Sequence, residues 1–397
     1  MTHYTPTNYS HIRYNPDHVY YDLVVRNYDS PNKDTEIPLT FTDTRDVPII
    51  NNADSYYLSI IRFSVDTFAD VIPILLFQIQ NNQGDRDLGV YSITLEYEDA
   101  VGTITSTQPE YLEWRPQERN ARVPPPPSLT GTGFQQFGDY YYCYNFQYMI
   151  NLINEALVRA MDKLKILVNP ILNTVEPPFL VWNDNQTATM YARESHFNTD
   201  IFPQVRIFFN RPLYSLLSSL PSIKFDITNP RKKYYQLIMK TYNGAKVVVL
   251  PNFGIDKLIF STQEYSTIEQ WSPVSSILFT SSTLPIISNF LSNPTIYIDG
   301  QPSNLSKTYN NFANIITDIS SNELCYKPSV LYNPSAQYRY IDLQNDQPIN
   351  QIDIQVFWRD TLGFVRPFYL APNSSCSIKL LFRKKNLGDS LRKEQMV

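Results

Sequence analysis

The stretch that decides the fold is QIDIQVFWRDTLGFVRPFYLAPNSSCSIKLLFRKK, residues 351–385. Ile352, Ile354, Val356 and Trp358 alternate with Asp353, Gln355, Phe357 and Arg359, the period-two pattern of a strand packed on one face. Asp360-Thr361-Leu362-Gly363 supplies a turn, and Phe364 to Leu370 continues extended around Pro367. Ser377 to Phe382 is a last apolar strand, closed by Arg383, Lys384 and Lys385. The pattern is that of the final hairpin of a β-sandwich, with Ile352, Ile354, Val356 and Trp358 inside.

Composition extends this reading to the whole chain. At 397 residues it can bury one large core or two. Charged residues are 18%, while Tyr (29), Phe (22) and Pro (29) are abundant and Gly is only 11. Aromatic and β-branched side chains fit pleated surfaces, and proline is confined to turns and sheet edges, so the balance predicts an all-β protein with proline-punctuated loops. A formal net charge of −5 argues against a general nucleic-acid binder. No apolar run reaches the roughly 18 residues of a membrane span. The opening MTHYTPTNYSHIRYNPDH lacks the apolar core of a signal peptide. Cys143, Cys325 and Cys376 are odd in number and widely spaced, which suits synthesis in a reducing compartment rather than a disulfide framework.

Outward from the deciding stretch, residues 1–18 read as an extended arm whose Tyr4, Tyr9 and Tyr14 are candidate docking side chains. Strands are expected at Val19–Arg26, at Tyr56–Val65 (apolar on both faces, hence central), at Leu75–Gln80 and at Tyr91–Tyr97. Thr107 to about Gly138 is loop, stiffened at Pro124–Pro127. One long helix is expected over 145–167. Phe146, Met149, Ile150, Ile153, Leu157, Ala160, Met161 and Leu164 form its stripe, and Asn154, Glu155, Arg159, Asp162 and Lys163 face away. Asn169-Pro170 stops it. FLVWND and ATMYAR flank Asn185-Gln186 as a hairpin, and Trp271 is an anchor ahead of the strand that ends near Pro285. Further strands are expected at 234–241, 247–251, 296–299, 314–320 and 338–343. Roughly sixteen strands against one long helix describe a large β-sandwich, either one jelly roll with an insertion or two jelly rolls.

Chemistry-bearing patterns are sparse. His3, His11 and His18 lie in the arm, and His196 stands in Glu194-Ser195-His196. HExxH, paired CxxC, GxSxG, the P-loop and GxGxxG are all missing from the sequence. Asp353 and Asp360 are expected among sheet-edge polar residues. No catalytic, cofactor-binding or metal-ligating residue is therefore assigned, and no cofactor is expected.

Laid out in order, the chain resembles the penton (minor capsid) proteins of virophages and Polinton-like viruses over about Tyr56 to Phe382. The carriers are NNADSYYLSIIRFSVDT (51–67), YNFQYMINLINEAL (144–157), PPFLVWNDNQTATMYA (177–192), IFFNRPLYSLLSSLPS (207–222), WSPVSSILFTSSTLP (271–285) and residues 339–385. The resemblance implies a jelly-roll subunit that forms a homopentamer at the five-fold vertices of an icosahedral shell. It would contact a separate major capsid protein, with other minor capsid proteins as further candidate partners. No specific nucleic acid and no membrane span are expected, and the chain would reside at the capsid vertex of the virion. The implied layout is an arm (1–18), a first jelly-roll part (19–106), an insertion (107–265) holding the helix, a second jelly-roll part (266–385) and a basic tail (386–397). Arg383, Lys384 and Lys385, with Arg392 and Lys393, are candidate interface cations. Two other readings stand beside it. One is a double-jelly-roll major capsid protein in trimeric capsomers; the other is a non-viral carbohydrate-binding β-sandwich using Trp114, Trp182, Trp271 and Trp358.

Overall fold

The computed structural model describes residues 16–27, 37–66, 73–80, 88–115, 140–224, 235–240, 257–286, 315–320, 329–332, 339–360, 365–370 and 373–385. The arm with Tyr4, Tyr9 and Tyr14, the Pro124–Pro127 run, the strands expected at 247–251 and 296–299, Cys325 and the tail beyond Lys385 lie outside these residues. The chain divides into two compact units. One comprises Met1–Val71, Val274–Ile298 and Leu305–Val397, and the other Ile72–Pro273 with Asp299–Asn304.

The first unit opens with β1 (His18–Arg26), β2 (Ile37–Pro38), β3 (Thr40–Thr44) and β4 (Tyr56–Asp66). The second follows with β5 (Leu75–Gln78), β6 (Leu88–Glu98), β7 (Ile104–Ser106), β8 (Glu110–Glu113), β9 (Tyr140–Cys143) and α1 (Phe146–Leu167). It continues through β10 (Phe179–Trp182), β11 (Ala188–Arg193), α2 (Glu194–Phe197), β12 (Gln204–Phe209), α3 (Arg211–Leu216), β13 (Ser222–Lys224), β14 (Tyr235–Leu237) and β15 (Leu258–Thr262). The first unit then resumes with β16 (Val274–Thr280), β17 (Ile315–Ser320), β18 (Ser329–Tyr332), β19 (Ile341–Asp342), β20 (Gln351–Asp360), β21 (Val365–Pro367), β22 (Tyr369–Leu370) and β23 (Ser375–Lys384).

In the first unit one sheet runs β1-β23-β4-β18, with β19 also on β4, and the other joins β17, β16 and β20 with β3 and β21 on the far side of β20. Taken as eight principal strands in chain order, the sheets read first-eighth-third-sixth and second-seventh-fourth-fifth, the connectivity of a jelly roll. The layers meet through Phe63 of β4, whose ring packs edge-on against Phe279 of β16 at 4.9 Å and Phe368 at 6.5 Å. Ile352, Ile354, Val356 and Trp358 are all buried, and Ile354 lies opposite Phe41 while Trp358 lies opposite Ile277. The expected polar face of β20 is different: Gln355 is exposed, but Asp353, Phe357 and Asp360 are buried. Asp353 and Asp360 are thus not exposed edge residues: both are buried, Asp353 beside Thr42 of β3 and Asp360 beside Val274 of β16.

The second unit is built around α1. Asn145 caps it, its side chain accepting from the N–H groups of Gln147 (2.8 Å) and Tyr148 (3.4 Å). Met149, Ile150, Ile153, Leu157, Ala160, Met161 and Leu164 are fully buried. They pack with a six-stranded sheet (β13-β14-β12-β6-β7, with β8 on β6) and the sheet β10-β11-β15. Three residues expected on the solvent side do other work. The Asn154 amide donates to Leu180 O (2.9 Å) and accepts from Leu180 N (2.7 Å), standing in for a strand neighbour of β10. Arg159 donates to Tyr111 O at 2.8 Å, and Lys163 pairs with the buried Glu110.

The structural division falls at Val71/Ile72 and Pro273/Val274, outside the expected insertion limits of 107 and 265. Residues 75–106 have strand alternation, but β6 pairs with β12, β7 and β8, so these strands belong to the second unit. Alternation reports a half-buried strand and not which sheet it joins. Among the described residues this is a helix-centred unit with sheets of six, three and two strands, an arrangement unlike a second jelly roll.

Candidate assembly surface

The described residues hold little that could support catalysis. Ser195 Oγ lies 2.7 Å from His196 Nδ1, but the two are sequence neighbours in an exposed turn of helix. Among the described residues no group of three or more His, Cys, Asp and Glu could hold a metal ion. Cys143 and Cys376 are buried, and burial pushes the Cys143 thiol up to about 12, so it is not a thiolate at neutral pH. The tryptophans of the sugar-binding reading are spent in cores. Trp114, Trp271 and Trp358 are buried, and Trp182 is stacked on Phe146 at 4.9 Å. Trp271 is an anchor, but of the second unit: its Nε1 donates to Leu216 O at 2.7 Å beside Trp182 and Phe146.

Of the two buried carboxylates on β20, Asp353 is fully served. Asp353, 8% exposed, accepts from Ser281 Oγ (2.7 Å), Ser282 N (3.0 Å), the Ser282 hydroxyl, Thr283 N (2.9 Å) and Thr283 Oγ1 (2.6 Å). Burial pulls its pKa upward, but the hydrogen bonds from Ser282, Thr283 and Ser281 outweigh that and hold it below the usual carboxylate value. The site is a structural pin that closes the turn after β16. Its signal in the sequence was the run Ser281-Ser282-Thr283, three short donors after a strand.

The surface best suited to recognition is the outer face of the sheet β1-β23-β4. Tyr20 and Val24 of β1 are 58% and 57% exposed. Between them Asp22 pairs with Arg62 (3.0 Å) and Lys379 (3.2 Å), and the Lys379 ammonium lies over the Tyr20 ring at 5.7 Å. Farther along, Lys385 reaches Asp342 (3.1 Å), Asp54 (3.7 Å) and the Tyr57 ring (5.2 Å). Arg383 donates to Tyr340 Oη at 3.2 Å and covers its ring at 5.2 Å. Of the expected interface cations among the described residues, Arg383 and Lys385 therefore have partners within the subunit, while Lys384 continues the strand by donating its N–H to Asp17 O at 2.8 Å. The arrangement offers aromatic faces with neutralised charges, which suits contact with protein better than with a polyanion.

Solved structures share the fold. A chain of the Sputnik virophage structure determined by cryo-EM matches with a TM-score of 0.73 and 23% identity, over 94% of this chain and 99% of that one. The crystal structure of the mavirus penton protein matches with a TM-score of 0.59 and 16% identity, over 93% of this chain and 100% of that one. Among sequences, the uncharacterized protein V18 of Sputnik virophage is 30% identical over 151 residues, 38% of this chain and 85% of V18. The structural protein V19 of Sputnik virophage is 22% identical over 233 residues, 55% of this chain and 98% of V19. The family model described as Sputnik minor capsid protein V18/19 matches residues 19–384, from β1 to the last residue of β23, and the chain belongs to that family.

Proposed function

We propose that this minor capsid protein builds the pentameric vertices of an icosahedral shell, as a homopentamer that contacts a separate major capsid protein. The observation that carries the reading is the jelly roll interrupted by one large unit between β4 and β16, shared in fold over 93% of the chain with a protein described as a penton. The physical character agrees. Charged residues are few, and the outer face of one sheet carries aromatics whose neighbouring charges are already paired. A five-fold ring is a head-to-tail contact, in which one patch meets a different patch on the next copy. The reading includes no catalytic step, and it places synthesis in a reducing compartment, where Cys143 and Cys376 stay as thiols. Native mass spectrometry of the purified chain tests it: five copies are expected, whereas three copies would favour a trimeric capsomer and one copy a solitary module. Co-expression with the major capsid protein then tests incorporation at vertices by reconstruction of the particle.

A further inference from the structure

Among the described residues β1 is the terminal strand of its sheet, and its backbone shows which groups are left open. Asn27 N donates to Ser374 O and Lys384 N to Asp17 O, so residues 17 and 27 turn their backbone toward β23. Alternation along an antiparallel ladder then turns His18, Tyr20, Asp22, Val24 and Arg26 the other way, with their N–H and C=O groups on the free edge. Among the described residues none of these backbone groups has a partner.

This edge lacks the usual protection. It runs nine residues with no register shift against β23 and contains no proline and no lysine. Its one carboxylate, Asp22, is neutralised by Arg62 and Lys379. Tyr20 and Val24 stand exposed on the same strand, ready for cross-strand pairing. Open strands of this kind are templates for an added strand.

We propose that in the assembled protein the amino-terminal arm of a neighbouring copy, residues 1–15, adds as an extra strand along the open edge of β1. The proposal rests on the ring reading above. The arm has the composition for it: Thr7-Asn-Tyr-Ser-His-Ile-Arg-Tyr14 is free of proline and rich in strand formers. Fifteen extended residues reach roughly 50 Å, enough to cross to an adjacent subunit. The first described residue, just ahead of β1, is held away from that edge. Pro16 O accepts from Tyr56 Oη at 3.0 Å, and Tyr56 lies on β4, beyond β23 from the open edge. The Pro16 carbonyl thus faces away from the open edge, which favours another copy as the donor.

Hydrogen exchange of the 18–26 peptide in the full-length ring, the dissociated subunit and a chain lacking residues 1–15 tests this. Exchange in the ring is expected to be slower than in the subunit by about tenfold or more, and deletion of 1–15 is expected to restore the subunit rate. A photocrosslinking phenylalanine analogue at position 24 should capture residues 1–15 of an isotope-labelled second copy. Val24→Pro removes an outward N–H and should leave the subunit folded while abolishing the protection; Leu23→Pro, which removes an inward one, should unfold the sheet. Equal exchange in ring and subunit, protection that survives the deletion, or capture only within one chain would each overturn the proposal. Native mass spectrometry counts the copies separately. A chain that stays monomeric overturns both readings, whereas an intact ring with an unprotected β1 edge overturns this one alone.

Discussion

Thr283 donates twice to the same oxygen of Asp353, through its N–H at 2.9 Å and its hydroxyl at 2.6 Å. With Ser281 and Ser282 it wraps a buried carboxylate in neutral donors, and no cation supplies any of these bonds. Asp353→Asn would turn an amide N–H toward those donors and leave part of the set unpaired. The expected cost near neutral pH is about 1–3 kcal/mol, read as a lower urea midpoint with unchanged m-value.

The same site predicts an acid dependence. The folded pKa of Asp353 is lowered, so its stabilisation is complete above the unfolded carboxyl value of about 3.9 and is lost as pH falls through the folded value. The stability gap between wild type and Asp353→Asn should therefore narrow as pH drops from about 5 toward 2. A gap that stays constant over that window would show that the charge of Asp353 contributes nothing.

Leu157 is fully buried on α1, while its neighbour Val158 is largely exposed. Leu157→Asp leaves an unpaired charge in an apolar site and should cost about 4 kcal/mol or more, whereas Val158→Asp should stay within about 0.5 kcal/mol. Thermal unfolding followed by helical circular dichroism separates the two. Equal melting of both variants would mean that the apolar stripe is not core.

Gly89 of β6 sits where a side chain has no room. A Cβ there would lie 2.5 Å from Phe77 Cζ and 3.0 Å from the Leu112 carbonyl oxygen. Phe77 cannot yield easily, because its buried ring is packed against Tyr91 at 5.2 Å and Trp114 at 5.4 Å. Gly89→Ala should destabilise the second unit by about 1–3 kcal/mol through overpacking. Adding Phe77→Leu should recover part of the loss, a non-additivity that a double-mutant cycle measures.

These sites differ in how far they could be read from the chain. Ile352, Ile354, Val356 and Trp358 were legible because burial on one sheet face repeats every second residue, and α1 was legible through its three- and four-residue steps. Burial of Asp353 was not, since alternation assigns it to the outer face and only the distant Ser281–Thr283 turn covers it. The place of residues 75–106 was hidden for a related reason: β6 acquires its sheet from β12, more than a hundred residues later. Arg383 and Lys385 were visible as charges, but their partners Tyr340, Asp342 and Asp54 come together only in the fold. The outward edge of β1 depends on ladder phase, which one strand does not reveal.

The basic end of the chain yields a last prediction because its root and its tail separate. Lys385 is held at its place by Asp342, Asp54 and the Leu343 carbonyl, so removing residues 386–397 leaves those contacts intact. The truncated subunit should melt like the full chain and close the same ring. The tail carries Arg392 and Lys393, the cations expected to meet acidic partner loops, together with Asp389 and Glu394. Charge contacts of that kind are screened at high salt, where the Debye length falls to about 3 Å at 1 M. Incorporation of the truncated protein into particles should therefore fall most at low salt, and the two proteins should converge as salt rises. Equal incorporation at every salt concentration would leave the tail a role in solubility alone.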